Sequence, residues 1–67
     1  MIRITVNGRQ QEVPAGFTLS RVLQRLDLPE GRIAVELNRR VVPRTLFAGE
    51  TVKDGDSLEI VTFVGGG

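Results

Sequence analysis

Apolar and polar residues alternate at the start of the chain. Ile2-Arg3-Ile4-Thr5-Val6 repeats with a period of two, the pattern of a strand with one buried face. Asn7-Gly8 follows directly, and both positions tolerate positive φ, so a tight hairpin returning through Arg9-Gln10-Gln11-Glu12-Val13 is predicted. Pro14-Ala15-Gly16 closes that strand, because proline lacks a ladder donor and glycine turns freely. The period then changes. Leu19, Val22, Leu23 and Leu26 fall at i, i+3, i+4 and i+7, the apolar stripe of a helix whose opposite face carries Ser20, Arg21, Gln24 and Arg25. Thr18 is the expected N-cap, and Phe17 before it is placed to pack on Val22 as a hydrophobic staple. Pro29 with Gly31 is expected to end the segment shortly after Leu28.

Ile33-Ala34-Val35-Glu36-Leu37-Asn38 alternates again, and Arg39-Arg40 reads as a turn before the short apolar pair Val41-Val42, which Pro43 stops. From Arg44 to Lys53 the pattern is irregular, with Leu46, Phe47 and Val52 as expected core anchors and Gly49 breaking regularity. Asp54-Gly55-Asp56 is a turn, since aspartates bond their own backbone and glycine takes positive φ. Leu58-Glu59-Ile60-Val61-Thr62-Phe63 is then the last strand; with Leu58 and Ile60 inward, Glu59, Val61 and Phe63 share the outer face. Two strands, one helix, two strands and a final strand predict an α+β fold of the β-grasp kind, a mixed four- to five-stranded sheet wrapped around one helix. The helix is a crossover expected to be right-handed. The last strand should lie centrally, parallel to the first. The domain is expected over residues 1–64, with residues 65–67 as a flexible glycine tail.

Composition narrows the functions this fold can serve. A chain of 67 residues makes one small domain, of a size that buries only about 60% of the surface its unfolded chain exposes. It contains no cysteine, which removes disulfides, thiolate metal sites and a cysteine nucleophile, and no histidine, the usual general base at neutral pH. Catalysis would rest on carboxylates, serine and threonine alone, so the chain is expected not to be an enzyme by itself. Eight arginines and one lysine balance eight acids to a net charge of +1, too even to argue for nucleic-acid binding. The longest apolar runs are only a few residues, with no signal peptide or membrane span among them. No nucleic-acid or membrane partner is expected, and the expected location is cytoplasmic.

The end of the chain, Val61-Thr62-Phe63-Val64-Gly65-Gly66-Gly67, joins an apolar strand to three glycines and a carboxylate. Glycine has no β-carbon, so such a tail can thread a slot too narrow for side chains. At ~3.3–3.6 Å per extended residue, Val64 to Gly67 can carry the carboxylate about 13 Å beyond Phe63. Against this stands the ordinary fraying of chain ends.

The whole chain resembles the ubiquitin-like sulfur carriers, and among them most closely the ThiS-type carriers of thiamin (thiazole) biosynthesis. The resemblance rests on the length, Asn7-Gly8, Leu37-Asn38 followed by Val42-Pro43-Arg44, Asp54-Gly55-Asp56, and an apolar strand ending in glycines. The individual motifs are weak, but their order and spacing to the terminus are specific. The family typically ends in two glycines after an apolar or small residue; here Gly65 makes a third, with the spacing from Asp56 unchanged. The resemblance implies that Gly67 is the sulfur-carrying residue. An ATP- and Mg-dependent adenylating enzyme, akin to ubiquitin activators, would convert it to an acyl-adenylate. Sulfur originating from cysteine through a cysteine desulfurase would then displace AMP to leave a thiocarboxylate, the 1-thioglycine form of Gly67, for thiazole synthase to use. Gly65 and Gly66 would thread the tail, and Val61, Phe63 and Val64 would dock the partner. No cofactor or metal would be bound by the chain, and no side chain of it would be catalytic.

Other candidates read more simply. Val61 and Phe63 have the alternative of being covered by the Arg44 to Lys53 segment, Arg39, Arg40 and Arg44 fit a solvated turn better than a steering patch or a phosphate site, and Asp54 with Asp56 falls far short of a hard-cation site. Carriers for molybdopterin synthesis or tRNA thiolation share the fold and the glycine end, and a β-grasp binding module with a passive tail is the alternative from a different class. A chain with three phenylalanines and no tryptophan or tyrosine offers little for base stacking in such a module.

Overall fold

Strand β1 (Ile2–Val6) turns through Asn7 and Gly8, at φ 49° and 83°, and pairs antiparallel with β2 (Arg9–Val13) in the register Ile2 to Val13 and Val6 to Arg9. Positive φ at both turn residues is the primed geometry whose twist matches that of the strands. The computed structural model describes residues 1–63. The expectations placed on Val64 and on the glycine tail, Gly65, Gly66 and Gly67, lie outside the described residues, as does the domain boundary at 64.

Helix α1 (Leu19–Arg25) starts where the sequence places it. Thr18 is the N-cap, its hydroxyl oxygen accepting from the Arg21 N–H at 3.3 Å. The two N–H groups of Leu19 and Ser20 at the open end of the helix are taken by the Glu50 and Phe47 carbonyls at 2.9 and 3.2 Å. Helix starts need such outside acceptors, and here the irregular Arg44 to Lys53 segment supplies them, which gives that segment its order. Leu19, Val22 and Leu23 are fully buried, while Leu26 and Leu28 are partly buried against the same core. Phe17 also packs against this core, and the Arg21 guanidinium lies over its ring, 5.1 Å from the centroid.

The helix ends earlier than expected, and Pro29 and Gly31 are not what stops it. Asp27 takes φ 60°, the Leu28 N–H donates back to the Leu23 carbonyl at 2.9 Å, and the Asp27 N–H donates to the Gln24 carbonyl at 3.0 Å. This is a Schellman cap with aspartate in the left-handed place usually held by glycine; after glycine, asparagine and aspartate are among the residues that enter this region most readily. A single 3₁₀ turn (Glu30–Arg32) then leads into β3 (Ile33–Leu37).

The turn after β3 is Asn38-Arg39, at φ 52° and 70°, not Arg39-Arg40. Arg40 opens β4 (Arg40–Val42), with Leu37 opposite Arg40. A two-residue loop of this type needs positive φ at both central positions; Asn38 meets that demand at low cost, and Arg39 is carried into it as the second central residue. After a second 3₁₀ turn (Arg44–Leu46), Phe47 and Val52 are buried as expected, but Leu46 is 53% exposed and anchors nothing. The 3₁₀ geometry points adjacent side chains apart, so only one of the pair Leu46-Phe47 can enter the core.

Strand β5 (Ser57–Thr62) completes a five-stranded sheet of order β2-β1-β5-β3-β4. It runs parallel to β1 and antiparallel to β3, in the central position predicted. Ile4, Val6, Val13, Ile33, Val35, Leu37, Val42, Leu58 and Ile60 face α1, Phe47 and Val52 in one core. Among the described residues no helix is long and apolar enough to cross a membrane.

Candidate functional site

The chain leaves the domain along β5, so the site is built from what holds that strand and what its free face presents. β1 turns away at Asn7, too early to pair with the second half of β5 by its own backbone. The Asn7 side chain extends the ladder instead. Its Oδ1 accepts from the Ile60 N–H at 2.7 Å and its Nδ2 donates to the Ile60 carbonyl at 3.0 Å, while the Asn7 backbone N–H donates to the Leu58 carbonyl at 2.8 Å. The amide thus imitates one more strand residue. Asn38, at the matching place in the other hairpin, does the same for the start of β5: its backbone N–H donates to the Ser57 carbonyl at 2.8 Å and its Oδ1 accepts from the Ser57 N–H at 2.9 Å. Its Nδ2 reaches Asp56 Oδ1 at 3.0 Å. Sequence reasoning saw Asn7 only as a turn former and Asn38 only as a strand end; the sole signal for more was asparagine rather than aspartate or glycine in both places.

Substituting Asn7→Asp isolates this role, because aspartate also tolerates positive φ but its carboxylate cannot donate to the half-buried Ile60 carbonyl. The expected loss is about 1–3 kcal/mol, the cost of leaving such a group unsatisfied. A denaturant midpoint equal to that of the unsubstituted chain would show that the amide does not hold the strand.

The aspartates of the preceding turn both accept from backbone N–H groups. Asp54 Oδ1 accepts from the Arg3 N–H at 2.8 Å, Asp56 Oδ2 from the Lys53 N–H at 2.8 Å, and Gly55 turns at φ 89°. Asp56 bonds within its own turn as expected, whereas Asp54 ties the turn to β1 instead of to its own backbone. At the other end of β5 the Phe63 N–H donates to the Arg32 carbonyl at 2.8 Å, so pairing continues one residue past the strand.

On the outer face Val61 is 58% and Phe63 57% exposed. The Arg44 to Lys53 segment packs on the opposite side of the sheet and covers neither, which decides between the two expectations in favour of an open apolar pair. Ala34 lies opposite Val61 across β3 and β5, and Val41, 66% exposed, shares the face from β4. Arg39, Arg40 and Arg44 are all exposed; Arg40 contacts Glu50 at 3.7 Å, a weak surface pair. Arg40 does not join the Val61 and Phe63 patch: it sits opposite Leu37, on the inner side of the sheet's edge.

One helix packed on a mixed sheet whose last strand lies centrally, parallel to the first, defines the ubiquitin-like β-grasp class. Within it the chain belongs to the ThiS family, whose sequence model matches residues 4–67. It is 38% identical over 66 residues to a thiazole synthase of Paramagnetospirillum magneticum, a match covering 98% of this chain but 20% of that protein, so the chain spans a fifth of that relative's length. To the sulfur carrier protein ThiS of Escherichia coli it is 30% identical over 66 residues, 98% of this chain and 100% of that one. A crystal structure of the thiamine biosynthesis protein ThiS from Geobacter metallireducens matches with a TM-score of 0.84 at 36% identity, over 98% of this chain and 100% of the other.

Proposed function

We propose that the chain is a sulfur carrier of thiamine biosynthesis whose C-terminal Gly67 is adenylated, converted to a thiocarboxylate, and then gives up its sulfur for thiazole formation. Family membership and the names of the relatives support the carrier role. The observation that carries the mechanism is the open Val61 and Phe63 pair on the central strand, from which the chain runs on directly through Val64-Gly65-Gly66 to the terminal carboxylate of Gly67.

A terminal carboxylate is ionised at neutral pH and is a poor electrophile. Activation has to come from a partner. A carboxylate oxygen attacks the α-phosphorus of ATP, pyrophosphate leaves, and the acyl-adenylate forms; the terminal sulfur of a persulfide then attacks the acyl carbon and AMP leaves, and a thiol cleaves the S–S bond of the resulting acyl persulfide, forming a disulfide and releasing the thiocarboxylate. ATP and Mg belong to an adenylating enzyme of the ubiquitin-activator kind, sulfur originates with a cysteine desulfurase, and all of this runs in the cytoplasm. The chain contributes reach and docking, which needs neither cysteine nor histidine. Thiazole synthase is favoured as sulfur acceptor over molybdopterin or tRNA-thiolation enzymes by the Paramagnetospirillum relative, in which a segment like this chain forms part of a protein named thiazole synthase.

Carrier-dependent pyrophosphate exchange by the adenylating enzyme tests the docking half of this reading. Phe63→Ala and Val61→Asp should each raise KM for the carrier by at least about tenfold, roughly 1.4 kcal/mol of binding. Both side chains point away from the core, so the fold should stay largely intact. Exchange at the unsubstituted KM would remove the two residues from the docking surface.

A further inference from the structure

The outer face carries a charge arrangement that the isolated domain does not explain. Glu36 and Glu59 stand directly opposite one another across β3 and β5. The bonds of Asn38 to Ser57 and of Phe63 to Arg32 set the alternation of this ladder, which places the pair 36 and 59 in a hydrogen-bonded register with Cα atoms about 5.5 Å apart. Like charges placed this way destabilise a sheet. Both are exposed, and neither takes part in the ion pairs seen among the described residues, Arg3 with Glu12 at 3.5 Å and Arg40 with Glu50 at 3.7 Å. Apolar groups border them: Val41 is opposite Glu36 on the far side, Ala34 and Val61 form the next outward pair, and Phe63 lies beyond at the exit of the tail.

We propose that the Glu36–Glu59 pair is the electrostatic centre of the docking face and receives a cationic side chain, an arginine set in apolar surroundings, from the adenylating enzyme. This rests on the sulfur-carrier reading. A guanidinium fits best, because its planar fork can donate to a carboxylate on each side while its weakly hydrated faces tolerate the apolar neighbours Val41 and Val61. A second copy of this chain would bring four carboxylates together, and a nucleic acid would bring phosphates to them. Continuity with the tail selects the enzyme. Only four residues follow Phe63, a reach of about 13 Å at full extension, so the enzyme surface around its tail entrance must lie against this end of the sheet. An uncompensated acidic pair is costly while the carrier is free and is relieved when that surface arrives, so the same two side chains lower stability and raise affinity.

The two opposed effects make the test. Glu36→Gln and Glu59→Gln should each raise the KM for carrier in pyrophosphate exchange by about tenfold, leave kcat unchanged and flatten the rise of KM with salt, while the melting temperature stays the same or increases. Glu59→Lys should raise the melting temperature, by pairing with Glu36 inside the sheet, and raise KM further. Wild-type KM in all three variants would overturn the proposal, and so would a KM increase accompanied by a lower melting temperature, which would make the acids structural. If the unsubstituted chain supports no exchange at all, the sulfur-carrier reading fails and this proposal falls with it; substitutions that leave KM unchanged sink this proposal alone.

Discussion

A chain lacking Gly67 should fold normally and yet fail as a substrate for adenylation, with carrier-dependent pyrophosphate exchange falling about a hundredfold or more. The shortened chain still ends in two glycines, Gly65 and Gly66, but its carboxylate is drawn back by ~3.3–3.6 Å. Composition is kept and distance is lost. The origin of that distance is fixed, because Asn7 holds Ile60 on one side of β5 and the Arg32 carbonyl holds the Phe63 N–H on the other. Acyl transfer needs its atoms at near-attack separation, and a displacement of even ~1 Å can cost 10²-fold in rate. Gly66→Val should fail for a different reason: a β-branched side chain narrows the backbone choices and widens a segment meant for a slot. Exchange by the Gly67 deletion at the full-length rate would mean that the terminus is not read by reach from the last strand.

Leu23→Ala should cost about 2–5 kcal/mol, a large part of the stability of so small a domain. Leu23 is 0% exposed at the middle of the helix's buried stripe, and its carbonyl also receives the Leu28 N–H that closes the helix. Truncation opens a cavity between α1 and the sheet that a short helix, tied at its start to Phe47 and Glu50, cannot close by shifting. Leu46→Ala, by contrast, should move the denaturation midpoint hardly at all, within about 0.5 kcal/mol, since Leu46 is exposed. Equal effects from the two substitutions would contradict the packing described here.

The parts of the fold that were legible are those fixed by local chemistry. Period-two alternation placed β1, β3 and β5, Asn7-Gly8 placed the first hairpin and with it β2, and Thr18 placed the helix start, because each depends on residues adjacent in the chain. Val61 and Phe63 were legible as outward-facing from the alternation of β5, although whether another segment covered them was a question of tertiary packing that periodicity does not carry. The misses share a physical cause. Asp27 ending the helix, Asn38 rather than Arg40 turning the second hairpin and Leu46 facing solvent all depend on single φ values or on which neighbour of a 3₁₀ turn finds room inside. The long-range duties of Asn7 and Asn38 were hidden for another reason: an amide that imitates a strand residue is visible only once the register of β5 is known, 53 positions away in the case of Ile60. Glu36 was passed over because its opposition to Glu59 exists only in the folded sheet.

Intact-mass measurement of the chain after incubation with the adenylating enzyme, ATP, Mg, cysteine and a cysteine desulfurase tests the sulfur-carrier mechanism most directly. The result expected is a shift equal to the replacement of one oxygen by sulfur, located by fragmentation at Gly67 and absent when ATP is withheld or Gly67 is deleted. A chain whose mass stays unchanged under conditions where the enzymes are active, or whose sulfur is found on any residue other than Gly67, would contradict it.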